Sequence, residues 1–304
     1  MGLADVIQMA RESVDKTAGE RLFEYTRVFR GYNEVEPMQV GDLVRASSLP
    51  YLCPREEVLA HRYDVMRARH VEPMLQITLD IGHAFHDLYR DVYFGPMGEW
   101  VGSWKCMMCG WDTDKAGLSK PPETNNGCTS PGVLTKMPEK CGNCHAPFIV
   151  HPGSGDGYRG NGTFNEWHIE DKGIGVKGHP DGWVARARVR RLLVDLKSHG
   201  HRGFASRRKL RDGHDLQAWA YQFMCGDDAA EVWYLNKSPW GDHAAFLRTV
   251  PVEFDKTGFR QSVLSPVERT LDGLAGGPLP DRMCVSTECP RAKECQLSSI
   301  CFFC

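Results

Sequence analysis

The sequence predicts an α/β domain with a central mixed sheet flanked by helices, and three observations carry that prediction. Apolar residues recur at helical spacing before and after a cluster of short strand-like runs. The strand-like runs fall between residues 164 and 253 and are bounded by Gly, Pro and Asp. Between the leading helices and those strands, residues 96–162 lose their periodicity and turn rich in Gly, Pro, Asn and Cys, the texture of an insertion.

Taken in order, Val6, Ile7, Ala10 and Val14 place a helix within the first ~30 residues. Residues 54–70 open on Pro54 with Glu56 and Glu57 behind it, a helix start that complements the macrodipole. Ile77, Ile81, Phe85, Leu88 and Val92 form the apolar stripe of a helix over 77–94. Beyond the insertion, strands are expected at 164–170, 174–178, 182–188 and 192–196, then a helix at 213–225. Strands near 230–236 and 245–253 follow, and a helix over 257–275 stops at Gly-Gly-Pro-Leu-Pro. The chain thus divides into a helical part (1–95), an inserted module (96–162), a core (163–280) and a cysteine-rich tail (281–304).

A hydrophobic share of 41% in 304 residues is enough for a real core. The net charge of −2 advertises no nucleic-acid partner, so any basic binding surface must be local. No apolar run approaches the ~18–20 residues that cross a bilayer. The N-terminus lacks the apolar stretch of a signal peptide, and Val6 stands where myristoylation after Gly2 prefers Ser or Thr. The expectation is a soluble, cytoplasmic protein with no membrane partner. In a reducing compartment, twelve cysteines point to metal ligation rather than to disulfides.

The cysteines are grouped. Cys106-x2-Cys109 and Cys141-x2-Cys144 are two knuckles separated by 31 residues, the usual sequence form of a tetrahedral Zn2+ site. Cys128 and His145 are lesser ligand candidates. Such a module can contact DNA, bind a protein partner or stiffen an insertion, and its spacing does not choose among them. Five more cysteines crowd the tail from Cys284 to Cys304. Cys225 closes a helix and reads as a packed thiol.

The acidic chemistry lies in residues 178–197. Asp181 sits in a Gly-His-Pro-Asp-Gly turn between two strands, and thirteen residues separate it from Asp195. Alternation puts Asp195 and Lys197 on one face of a strand, with Leu196 pointing to the opposite core. Two carboxylates facing each other across neighbouring strands make a hard-oxygen site for Mg2+ or Mn2+. A lysine beside it can orient water and offset phosphate charge. Taken alone, an Asp-x-Lys step is common.

In its order of motifs, however, the chain resembles the RecB-type PD-(D/E)XK nucleases: Gly-His-Pro-Asp-Gly, then Leu-Val-Asp-Leu-Lys, then Gln217 and Tyr221 at i, i+4 on a helix. The resemblance implies a restriction-endonuclease-like core. Its metal ligands would be Asp181, Asp195, the Leu196 carbonyl and a histidine on an upstream helix, His86, with His83 one turn earlier. Lys197 would be the catalytic lysine, and Gln217 and Tyr221 would face the site. The segment around Cys53 and the cysteine tail further resemble the iron–sulfur branch of that family, which includes CRISPR-associated RecB-like nucleases, the AddB nuclease domain and phage exonucleases. This implies a 4Fe–4S cluster on Cys53, Cys284, Cys295 and Cys301, with Cys289 the alternative to Cys284 and zinc the alternative metal. The insertion is not part of that pattern.

Residues 198–211 form a basic stretch beside the site. Arg202, Arg207, Arg208, Lys209 and Arg211 are candidate phosphate contacts, and Phe204 is a candidate base-stacking ring. The implied activity is metal-dependent hydrolysis of DNA from single-stranded ends, in recombination, replication or DNA processing. If the chain is phage-encoded, the place is the host cytoplasm. The alternative is a catalytically silent nucleic-acid-binding or end-capture subunit of a larger recombination or CRISPR-like complex, docked through the zinc module.

Overall fold

The computed structural model describes residues 32–70, 73–125, 128–130, 132–149, 160–186, 189–200, 204, 209–237 and 246–303. The helix expected near the N-terminus lies outside them.

Six strands form the central sheet: β1 Trp100–Gly102, β2 Thr135–Lys136, β3 Gly182–Arg186, β4 Val189–His199, β5 Ala230–Asn236 and β6 Leu247–Val252. Their spatial order is β6-β5-β4-β3-β1-β2. The β4–β5 pair is parallel and the other pairs are antiparallel, so the sheet is mixed. A parallel pair needs a crossover, and residues 200–229 supply it. Strand alternation splits the core in two. Leu192, Val194 and Leu196 join Trp233 and Leu235 on one face, while Leu193, Val232 and Tyr234 pack on the other with Ala218, Tyr221 and Met224.

Four helices matter for the site: α1 Pro54–Arg62, α2 Pro73–Asp87, α3 His214–Cys225 and α4 Ser265–Leu274. Helix α2 runs on into a wider π-type turn over Leu88–Phe94, closed by the Gly95 N–H on the Arg90 carbonyl at 2.8 Å. Helix α3 is bracketed by Gly213 and Gly226, both in the left-handed region at φ 88° and 64°. Helix α4 is preceded by Lys256–Phe259 and a wider turn over Arg260–Leu264.

Two expected elements differ. Helix α1 stops at Arg62 instead of running to 70. Asp64 turns the chain at φ 49°, and Arg67–His70 becomes a strand paired with Tyr32–Val35. The run 164–170 is broken: Gly162–Phe164 pairs with Trp104–Cys106, whereas Ile169–Asp171 pairs with Val176–Gly178. Partners distant in sequence decided both outcomes in part: Tyr32–Val35 for Arg67–His70, and Trp104–Cys106 for Gly162–Phe164.

The cysteine-rich segment is continuous with the rest. Strands β1 and β2 extend the central sheet, and Trp104, Cys106, Cys141, Phe148 and Phe164 share one core cluster with Val194, Leu196 and Trp233. No helix among the described residues is long and apolar enough to cross a membrane.

Candidate active site and metal centres

The register of β3 against β4 pairs Gly182 with Val194, so Asp181, one residue before β3, comes beside Asp195. Gly182 is required there. Its φ is 152°, and a Cβ would stand 2.4 Å from the Trp100 indole nitrogen. The Leu196 N–H donates to Asp181 Oδ2 at 2.7 Å, fixing that carboxylate against the strand. His86, in the last turn of α2, brings Nδ1 to 3.5 Å from Asp181 Oδ1. The Lys197 ammonium lies 2.9 and 2.8 Å from the two oxygens of Asp195 and donates to Gln217 Oε1 at 3.1 Å. Gln217 in turn donates to Tyr221 Oη at 3.4 Å, one turn along α3. His86, Asp181, Asp195, Lys197, Gln217 and Tyr221 therefore meet in one place, with Leu196 between the carboxylates.

The charges there are held in little water: the Asp195 side chain is 2% exposed and that of Lys197 23%. Burial pushes the Asp195 carboxyl up to about 6, against the pull of Lys197 and with a further push from Asp181. Burial would also raise Asp181, but His86, Lys197 and Arg90 outweigh it and hold that group well below the usual carboxylate range. For Lys197, burial favours the neutral amine, yet Asp195 and Asp181 win and keep it an ammonium. Asp195 Oδ2 is buried and takes no aligned hydrogen bond. A buried carboxylate whose Oδ2 meets only the Lys197 ammonium, a second carboxylate and an imidazole are the donor set a hard divalent cation takes.

Two structural neighbours are exonucleases. One is an alkaline exonuclease from Laribacter hongkongensis, 15% identical over 36% of this chain and 55% of that one, with a TM-score of 0.31. The other is a phage-related exonuclease from Haemophilus somnus 129PT, 14% identical over 37% and 59%, with a TM-score of 0.29. SSO0001 matches over 87% of each chain at 11% identity and a TM-score of 0.37. The match thus spans less than two thirds of either exonuclease. No family model and no curated protein matches. At these scores the functional reading is carried by the side chains of the site and not by the neighbours.

A second centre is built by the two knuckles. Cys106 and Cys144 sulfurs are 3.7 Å apart, those of Cys109 and Cys141 3.6 Å, and all four lie within 4.8 Å of one another. A tetrahedral ion at the Zn–S distance of about 2.3 Å sets its sulfurs about 3.8 Å apart, so the four thiols fit a single ion. Among the described residues no other group of three His, Cys, Asp or Glu side chains converges so closely. The knuckles repeat each other. Gly110 and His145 N–H groups bond the carbonyls of Cys106 and Cys141, and Cys106 and Cys141 N–H groups bond those of Trp111 and Ala146. Gly110 and His145 both adopt left-handed backbone, at φ 73° and 61°. His145 thus occupies the turn position that Gly110 fills in the first knuckle.

In the tail, Cys53, Cys284, Cys295 and Cys301 border one cavity together with Arg55 and Leu297. Cys289 is not on its wall; it caps α5 (Pro290–Glu294), whose first N–H groups lower its thiol. Burial pushes Cys295 up to about 11 and raises Cys53. Arg55 in α1 ties the tail down, donating to the carbonyls of Pro280 and Cys301 at 3.0 and 3.4 Å.

Of the basic stretch, Arg202, Arg207 and Arg208 lie outside the described residues. Lys209 and Arg211 are exposed. Phe204 is corrected: it is 2% exposed, inside the α3-side core with the Arg248 guanidinium 4.9 Å from its ring centre, and cannot stack on a base. Cys225 is fully buried, with a thiol raised well above its ordinary value by that burial. Sequence reasoning missed Arg90 and Asp91. The available signal was that Arg90 follows His86 by four residues, on the same helical face.

Proposed function

We propose that this protein is a divalent-metal-dependent deoxyribonuclease that hydrolyses phosphodiester bonds at single-stranded DNA ends. The observation that supports it is the meeting of His86 and Asp181, 3.5 Å apart, beside Asp195 and its half-buried Lys197 ammonium. His86, both carboxylates and the Leu196 carbonyl would hold Mg2+ or Mn2+. Bound there, the metal supplies Lewis acidity and eases deprotonation of water.

The remaining work falls to the chain. Lys197 is positioned by Asp195 and by Gln217, and Tyr221 orients the Gln217 amide. As a charged donor, Lys197 orients a water or a phosphate oxygen and offsets charge that grows on phosphorus in the transition state. Asp181 is kept ionised by its cationic neighbours, so it remains ready to bind a cation near neutral pH. The narrow exposure of these groups favours a strand separated from its complement. Zn2+ in the knuckles and a 4Fe–4S cluster on Cys53, Cys284, Cys295 and Cys301 complete the reading. A four-iron cluster holds its thiolates farther apart than one ion does, in keeping with a quartet set around a cavity.

The test is degradation of end-labelled single-stranded DNA with Mn2+. Cleavage is expected from the wild type. Asp195→Ala and Lys197→Ala should each lower it by about a hundredfold or more without unfolding the protein. Undiminished cleavage by either variant, or DNA binding without cleavage by the wild type, would refute the assignment.

A further inference from the structure

The four-cysteine centre and the carboxylate site are joined by a short chain of contacts. Trp104–Cys106 pairs with Gly162–Phe164, which sets the metal-site residue Cys106 opposite Gly162 and Lys105 opposite Thr163. Just past Cys106, the Met107 N–H bonds the Asn161 carbonyl at 2.9 Å. On the far side, that strand grips the continuation of α2. The Thr163 hydroxyl donates to Asp91 Oδ2 at 2.8 Å and the Phe164 N–H to Asp91 Oδ1 at 2.9 Å. Both oxygens of a carboxylate only 4% exposed are thereby held by one strand.

Arg90 makes the second grip. It donates to Asp87 at 2.7 Å and to Glu166, two residues past the strand, while its guanidinium carbon lies 5.4 Å from the Phe164 ring centre. Arg90 is 5% exposed and turned toward these carboxylates, so it does not reach a substrate phosphate. It follows His86 by four residues, in the turn that continues the same helix.

We propose that the four-cysteine metal site is a positioning device for the hydrolytic site. The metal holds the Gly162–Phe164 strand, and that strand, through Asp91, Arg90 and Glu166, sets His86 beside Asp181 for the divalent cation. The inference rests on reading His86, Asp181 and Asp195 as a cation site. Ligand-supporting residues of this kind commonly alter metal affinity by about 10–100-fold when removed.

The experiment is calorimetric titration of the full chain with Mn2+, alongside zinc content by elemental analysis. Arg90→Ala, which leaves every cysteine and cation ligand in place, is expected to weaken Mn2+ binding about 10–100-fold with zinc unchanged. Arg90→Lys should recover part of that loss, and Thr163→Val should show a smaller one. Cys109→Ser, at an exposed ligand, should lose the zinc and weaken Mn2+ binding as well. Combining it with Arg90→Ala should add little, because both act through one chain of contacts. Wild-type Mn2+ affinity in Arg90→Ala, or in folded zinc-free Cys109→Ser, overturns the proposal. If Cys109→Ser does not fold, Arg90→Ala and Thr163→Val decide the matter. A zinc-loaded wild type that binds no Mn2+ overturns the underlying cation site along with the link.

Discussion

Lys197 and Asp227 show how differently buried charges are used in this fold. Lys197 faces two carboxylates and stays charged, so its ammonium is available for chemistry. Asp227 lies outside the site; Trp183 Nε1 donates to it at 2.7 Å and Arg191 pairs with it. Burial nevertheless dominates and pushes its carboxyl up to about 6. A folded-state value above that of the unfolded chain means the native state binds the proton more tightly. Asp227 therefore favours folding most below the unfolded value of about 3.9, and this contribution is lost as pH rises to about 6. The loss is on the order of 3 kcal/mol. Urea midpoints measured from pH 4 to pH 7 should fall more steeply for the wild type than for Asp227→Asn, and parallel curves would contradict this account.

At the scale of elements, the turn into β3 is the most exacting. Asp181 is useful only if β3 starts one residue later and lies flat against Trp100 of β1, and Gly182 makes both possible. Gly182→Ala would force a methyl into the indole in a backbone region that L side chains avoid. It should lower stability by about 1–3 kcal/mol in thermal or urea unfolding. Cleavage should also drop at temperatures where the variant is still folded, since Asp181 would shift. A variant with unchanged melting would show that β1 can yield, and that the strand does not hold the carboxylate.

Over the whole molecule, the candidate metal centres draw on residues far apart in sequence. A cluster on the proposed tail thiols would close a loop of more than 200 residues back to Cys53, and closing so long a loop removes much unfolded-state freedom. Anaerobically purified protein should contain iron and sulfide as well as zinc. Cys295→Ser or Cys301→Ser should lose the iron, keep the zinc and lower the melting temperature. Retention of iron in both would remove the cluster from those positions. Because β1 and β2 belong to the central sheet, excising residues 100–150 would break a shared core rather than trim an appendage.

Local patterns were enough for the strand at 230–236, for the strand expected at 182–188 and found at Gly182–Arg186, for α3 between its two glycines, and for the placing of Asp181 beside Asp195 and Lys197. In each, side-chain period and turn chemistry act over a few neighbouring residues. The knuckles were equally legible, because the ligand spacing is itself local. What the sequence concealed depends on partners distant along the chain. Arg67–His70 is a strand because Tyr32–Val35 lies beside it, and Phe204 is core because Arg248 and the sheet cover it. Asp91 and Arg90 meet Thr163, Phe164 and Glu166 because Gly162–Phe164 folds back onto the continuation of α2. Periodicity reports which face of an element is buried, and only tertiary packing decides what that face meets.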